Sequence, residues 1–207
     1  MKNLWVALRL SLLLLIICGL LYPLAMTGLG QVLFPGRAGG SIVRFHNKPV
    51  ASSLLGQNFT DSRFFHGRIS AVGYNTYRPV DTKPDQSGHT AYSGVSSGSA
   101  NLAPSNPQLA ERVRKDLEEF LKTHPEIKKE QIPTDFLTSS GSGLDPHITP
   151  AAARIQIPAI AKATGISNAK LEELVIKFSE GRLLGIFGEP RFNFVKANLE
   201  IAKDLQL

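Results

Sequence analysis

No charged residue occurs between Arg9 and Arg37, and the interval opens with Leu10-Ser11-Leu12-Leu13-Leu14-Leu15-Ile16-Ile17-Cys18-Gly19-Leu20-Leu21. A helix rises about 1.5 Å per residue, so this run exceeds the about 30 Å of a hydrocarbon core and predicts one membrane helix within residues 1–36. Lys2 and Arg9 precede it, and Trp5 stands at interfacial depth. The bias of basic residues toward the cytoplasmic face predicts a cytoplasmic N-terminus in a cell membrane. No later stretch approaches the about 20 apolar residues of a return crossing, which predicts an extracytoplasmic domain over residues 37–207. A cleaved export signal fits less well. Met26 is followed by Thr27-Gly28-Leu29-Gly30 rather than a small-x-small site, and the run is longer than the about 7–15 residues of a signal core. Cys18 is expected to be an inert thiol buried in the helix.

The net charge of +6 falls to +4 once Lys2 and Arg9 are set aside, and both signs are interspersed. No basic block exists to track a phosphate backbone, which argues against a nucleic-acid partner. Cys18 is the only cysteine, so the outer domain is expected to have neither disulfides nor a thiolate metal site and to rest on packing alone.

Beyond a Gly-rich exit, Ser41-Ile42-Val43-Arg44-Phe45 alternates as a short strand does. The aromatic cluster of residues 59–65 should anchor a core. From Gly73 to Asn106 the chain is rich in Gly, Ser, Asn, Thr and Pro, a composition with little apolar surface to bury and therefore a long loop. Asn106-Pro107 then caps an amphipathic helix with Leu109, Val113, Leu117, Phe120 and Leu121 on one face, ending near His124-Pro125. A second loop over residues 138–148 closes with Thr149-Pro150 as cap and first turn. The helix that follows carries Ile155, Ala159 and Ile160 and is expected to kink at Pro158. Ser167 caps another helix, with Leu171, Leu174, Val175 and Phe178 inward and its stop at Gly181. Residues 183–187, Leu-Leu-Gly-Ile-Phe, read as a short buried strand, and residues 192–207 as a final helix. The fold class is α+β: a membrane helix followed by a mostly helical domain with a small sheet.

Gly94-Val95-Ser96-Ser97-Gly98 satisfies the Gly-x-Ser-x-Gly pattern of a nucleophile elbow, with Asp145 and His147 downstream in hydrolase order. An elbow needs a buried strand before the serine and a helix after it, whereas here residues 86–93 and a Ser/Asn/Pro loop flank it. Asp145 and His147 sit on either side of Pro146, where the carboxylate is expected to be poorly placed to orient the imidazole. A turn-forming role suits them better. Glu189 and Arg191 are expected to pair across a turn or to face a partner. No Walker motif, His-Glu-x-x-His or carboxylate cluster for Ca²⁺ is present.

Several loops together carry a family resemblance. Leu54-Leu55-Gly56-Gln57, Phe64-Phe65-His66-Gly67-Arg68-Ile69-Ser70-Ala71, Asn101-Leu102 with Pro104-Ser105-Asn106-Pro107, Ser140-Gly141-Ser142-Gly143-Leu144-Asp145-Pro146-His147-Ile148-Thr149-Pro150, and Gly188-Glu189-Pro190-Arg191 with Asn193 and Asn198-Leu199 occur in order. In motif order, spacing and single N-terminal span the chain resembles the C subunit of the Kdp potassium-transporting ATPase. The resemblance implies a non-catalytic accessory subunit of a high-affinity potassium uptake complex. A P-type ATPase subunit would hydrolyse ATP and a channel-like subunit would select K⁺, with no cofactor or metal bound by this chain itself. It further implies support of assembly and a catalytic chaperone role that raises the ATPase subunit's affinity for ATP, with Gln156 as the residue coupled to nucleotide. Arg68, Asp145, His147 and Arg191 are the partner-facing loop candidates. The loops around Arg68 and Asp145-His147 would cap the channel-like subunit, and Gly19, Gly28 and Gly30 would permit close helix approach. A membrane-anchored serine hydrolase and a freestanding extracytoplasmic binding module are the alternatives.

Overall fold

The structure is a computed structural model and describes residues 2–207 apart from Arg78, Gln86, Tyr92 and Ser93. The chain forms two compact units, Met1–Ser52 and Ser53–Leu207.

In the first unit, α1 (Lys2–Ile16), a π-helical turn (Ile17–Leu21) and α2 (Tyr22–Leu33) make one continuous helix over Lys2–Leu33. At about 1.5 Å per residue it is long enough to cross a bilayer. No residue of it is buried in the protein, although from Leu10 onward it carries no charge on any face. The wide turn has a local cause. Pro23 lacks an N–H, and its ring would press on a preceding carbonyl. The Tyr22 N–H instead reaches back to the Ile17 carbonyl, which opens the spiral just before the proline. Cys18 lies on the outer surface of this helix rather than in a protein core. After the short α3 (Pro35–Ala38), the predicted strand is β1 (Ile42–Phe45), paired antiparallel with β2 (Lys48–Ser52). His46 and Asn47 both take positive φ, as a tight hairpin turn matching strand twist requires.

The second unit has its regular structure in its later part. It contains α4 (Pro107–Thr123), α5 (Thr134–Leu137), β3 (His147–Ile148), α6 (Pro150–Arg154), α7 (Ile157–Thr164), α8 (Asn168–Lys177), β4 (Ser179–Glu180), β5 (Arg191–Asn193) and α9 (Phe194–Asp204). β5 is central in a three-stranded antiparallel sheet ordered β3-β5-β4. Ile148, Ile160, Leu171, Val175, Phe192, Phe194 and Ile201 form its closed core. Phe120 on α4 meets Phe136 on α5 edge to face, with ring centroids 4.9 Å apart. The caps follow the sequence reading: the side chains of Asn106, Thr149 and Ser167 accept from the N–H groups of Gln108, Ala152 and Lys170.

Four expectations are corrected. Residues 183–187 are an exposed reversal rather than a buried strand, because β4 and β5 run antiparallel and the chain must turn back between Glu180 and Arg191. The helix capped by Ser167 stops at Lys177, not Gly181, because Ser179 and Glu180 are taken into the sheet. Phe192 lies in β5, and the last helix begins only after Asn193, whose side chain caps it at the Lys196 N–H. Pro158 sits in the first turn of α7, where its missing N–H costs nothing, so the break falls earlier, between α6 and α7.

The described residues of 53–106 have almost no regular structure, yet Phe65 is completely buried, with its ring 5.1 Å from that of Phe192. A buried backbone segment without a sheet partner must find other hydrogen bonds. Two side-chain amides supply them. Asn198 on α9 accepts from the Phe65 N–H and donates to the Phe65 carbonyl, each at 2.8 Å. Gln156, in the break before α7, accepts from the His66 N–H at 2.7 Å and donates to the His66 carbonyl at 3.2 Å. Both amides are buried, and each of their nitrogen and oxygen atoms has a partner.

The next residue, Gly67, passes so close to α9 that a Cβ would lie 2.5 Å from the Phe194 ring and 2.6 Å from the Tyr74 hydroxyl. Gly67→Ala is therefore expected to destabilise the chain by about 1–3 kcal/mol, as overpacking of a dense core does, measured by chemical denaturation in detergent.

Candidate functional site

Three loops meet beside the clamped segment. The Gly56 N–H donates to the Leu144 carbonyl at 2.8 Å, the Ser70 hydroxyl to the Gly143 carbonyl at 2.6 Å, and the Gly98 N–H to the Ser142 carbonyl at 2.8 Å. Glycine is required at two of these contacts. A Cβ on Gly56 would lie 2.4 Å from the Tyr74 ring, and Gly143 combines a φ of +68° with a would-be contact of 2.6 Å to Val72.

Arg68 and Asp145 are brought together here. The Arg68 guanidinium donates to the Thr138 hydroxyl and the Ser139 carbonyl, each at 3.1 Å, and lies 3.9 Å from the Asp145 carboxylate. Tyr74 closes the other side, its hydroxyl donating to the Arg68 carbonyl at 2.7 Å. Burial pushes the Tyr74 phenol up to about 12, with the Asp145 charge adding to the effect and Arg68 opposing it.

Asp145 reaches His147 across Pro146, contrary to the expectation of poor placement. One carboxylate oxygen accepts from the His147 N–H at 3.0 Å and lies 3.2 Å from Nδ1 of its ring. The turn itself causes this: the carboxylate folds forward over the proline to meet the N–H two residues on, which carries it to the ring. Asn193 then fixes the tautomer. Its Oδ1 accepts from Lys196 N–H and its Nδ2 donates to the Ser53 carbonyl, so Nδ2 must face His147 Nε2, 3.3 Å away. Nε2 is thus the acceptor, and Nδ1 carries the proton donated to Asp145. Burial alone would raise the Asp145 carboxyl. The hydrogen bonds from the His147 ring and backbone, with the Arg68 charge, outweigh it and hold the carboxyl below the usual aspartate range.

This arrangement does not make a hydrolase site. Both ring nitrogens of His147 are engaged, by Asp145 and Asn193, leaving none for a serine hydroxyl. Ser96 is held by Asn75, which accepts from the Ser96 N–H at 3.0 Å and donates to its carbonyl at 2.9 Å. Residues 94–98 contain neither strand nor helix. Of the stretch read as preceding the elbow, Gln86, Tyr92 and Ser93 lie outside the described residues. No group of three or more His, Cys, Asp or Glu side chains able to hold a metal ion gathers among the described residues.

Arg191 stands apart from the loop cluster. It pairs with Glu180 at 2.6 Å on the surface, while Glu189 pairs with Arg182 at 3.0 Å, so Glu189 and Arg191 do not pair with each other. Gln156 lies at the floor of a cleft of about 390 Å³ flanked by His66, Phe120, His124 and Phe136. Its amide is nevertheless turned to the backbone, with Nε2 donating also to the Ala152 carbonyl at 3.0 Å. The clamping roles of Asn198 and Gln156 were not anticipated, although each is a polar residue at an apolar helical position. Asn198 follows Phe194 by four, and Gln156 precedes Ile160 by four.

The K⁺-transporting ATPase c-chain family model matches residues 4–203. The chain belongs to that family. A relative from Clostridioides difficile strain 630, named a potassium-transporting ATPase KdpC subunit, is 55% identical over 207 residues and covers all of both chains. A KdpC subunit from Clostridium kluyveri is 54% identical over 197 residues, covering 95% of this chain and 91% of its own. One from Caldanaerobacter subterraneus subsp. tengcongensis is 44% identical over 198 residues, covering 96% and 93%. The residues that carry the resemblance in the sequence, among them Gly56, Gly67, Arg68, Gly143, Asp145 and His147, are those whose packing assembles the loop cluster described above.

Because the folded Asp145 carboxyl titrates below its unfolded value, its stabilising contribution is complete above the ordinary aspartate range and is lost as pH falls through the folded value. Melting curves of the full chain and of Asp145→Asn in detergent should therefore differ most near neutral pH and converge on strong acidification. A constant gap between them would contradict the assignment.

Proposed function

We propose that this chain is the membrane-anchored accessory subunit of a potassium-transporting ATPase, without catalytic chemistry of its own. Family membership across residues 4–203, together with a helix able to span a bilayer at Lys2–Leu33, supports the reading. Lys2 and Arg9 favour a cytoplasmic N-terminus, and on this reading residues 37–207 lie outside the cytoplasm. The partners on this reading are a P-type ATPase subunit that hydrolyses ATP and a channel-like subunit that selects K⁺.

The loops around Arg68 and Asp145-His147 are the surface offered to the channel-like subunit. They are cross-linked by their own hydrogen bonds, so little conformational entropy remains to be lost when a partner docks. Gln156 acts through the segment it holds. Its amide is committed to His66 and Ala152, so its influence on the ATP affinity of the ATPase subunit runs through assembly and coupling rather than contact with nucleotide.

Mild-detergent purification of the tagged full-length chain should recover both partner subunits with K⁺-stimulated ATPase activity, and omission of the chain should abolish that activity. In the same complex, Gln156→Leu should raise the KM for ATP together with a loss of thermal stability. Recovery of the chain alone, or a raised KM with unchanged stability, would contradict the respective claims.

A further inference from the structure

The reversal between β4 and β5 presents Leu183, Leu184, Ile186 and Phe187 at 70%, 82%, 72% and 62% exposure. Four adjacent large apolar side chains on one convex tip are not an ordinary scatter of surface hydrophobics. We propose that this tip inserts into the surface of the lipid bilayer that carries the chain's own N-terminal helix.

Three observations favour lipid. First, four of the five N–H groups of residues 183–187 are bonded within the tip. The N–H groups of Leu183 and Phe187 exchange bonds with each other's carbonyls at 2.8 and 3.0 Å, and those of Gly185 and Ile186 reach the Arg182 and Leu183 carbonyls. Few peptide groups of the tip then need water, which suits partial burial at the headgroup boundary rather than in the hydrocarbon core. Second, charge resumes at the base of the tip and is already paired, Arg182 with Glu189 and Arg191 with Glu180, a polar collar suited to headgroup depth. Third, four side chains fall well short of the about 1,200 Å² that a stable protein interface buries. A small contact suffices at a membrane, because the helix over Lys2–Leu33 makes the second attachment intramolecular. The proposal rests on that membrane helix and not on the potassium-transport reading.

The test uses the full chain alone in vesicles of phosphatidylethanolamine and phosphatidylglycerol, so a failure of the complex assignment does not affect it. Trp5 is the only tryptophan, and Trp5→Phe with Phe187→Trp moves the reporter to the tip. Ile186→Trp in the same background is the second reporter, and neither position belongs to the core. The expected result is blue-shifted emission that is lost when the acyl chains are brominated. Emission typical of water-exposed indole, unaffected by brominated lipid, overturns the proposal. So does a blue shift that brominated lipid does not quench: growth with protein-to-lipid ratio would assign the tip to a second copy. Shielding that appears only on addition of the transport subunits would assign it to a protein partner.

Discussion

Two carboxamides, Asn198 and Gln156, hold the backbone of Phe65 and His66 by both its donors and its acceptors. The constraint they answer is general. Phe65 must be buried to complete the core against Phe192, but its segment has no neighbouring strand, and an unpaired buried peptide group costs about 1–3 kcal/mol. A primary amide presents one acceptor and a pair of donors on one planar group, so it can bond to one residue's N–H and C=O as a sheet neighbour would. Placing one amide on α9 and another between α6 and α7 joins the irregular part of the unit to its helical part across 133 and 90 residues of chain.

The loop cluster depends on that attachment. Gly67 follows the clamped residues directly and threads between Phe194 and Tyr74, which sets where Arg68 emerges. Arg68 then reaches the 138–145 loop, while Ser70 and Gly56 stitch the same loop through its carbonyls. His147 completes the connection, since its ring is held by Asp145 on one side and by Asn193, the cap of α9, on the other. Polar groups with every partner satisfied impose one arrangement, and a partly satisfied version would be worse than an apolar one. Rigid loops positioned in this way are suited to recognition rather than to bond breaking.

The sequence was legible where a local rule decides. The membrane helix, the hairpin strand at β1, the caps at Asn106, Thr149 and Ser167, and the inward faces of α4 and α8 follow from composition, capping chemistry and periodicity. It misled where tertiary pairing decides. The apolar run at residues 183–187 has the composition of a buried strand, but β4 and β5 use its flanks and leave it at the turn. The Asp145-His147 contact was missed because spacing alone does not show a carboxylate folding forward over Pro146. Arg68 and Asp145 appeared as separate motif residues, and only the fold shows that they share one cluster.

The two ends of the molecule carry different physical demands. The helix over Lys2–Leu33 carries no charge beyond Arg9 and buries nothing in the protein, while the unit from Ser53 onward has a closed core and a polar loop cluster. If the amide clamp organises that second unit, its backbone must open only when the core opens. Residue-resolved hydrogen exchange at the Phe65 and His66 amides of the intact chain tests this most directly. The account predicts protection equal to that of the core amides of α8 and α9. Exchange as fast as that of the exposed loops would contradict it, because the clamp would then be a surface contact rather than the join between the two parts of the fold.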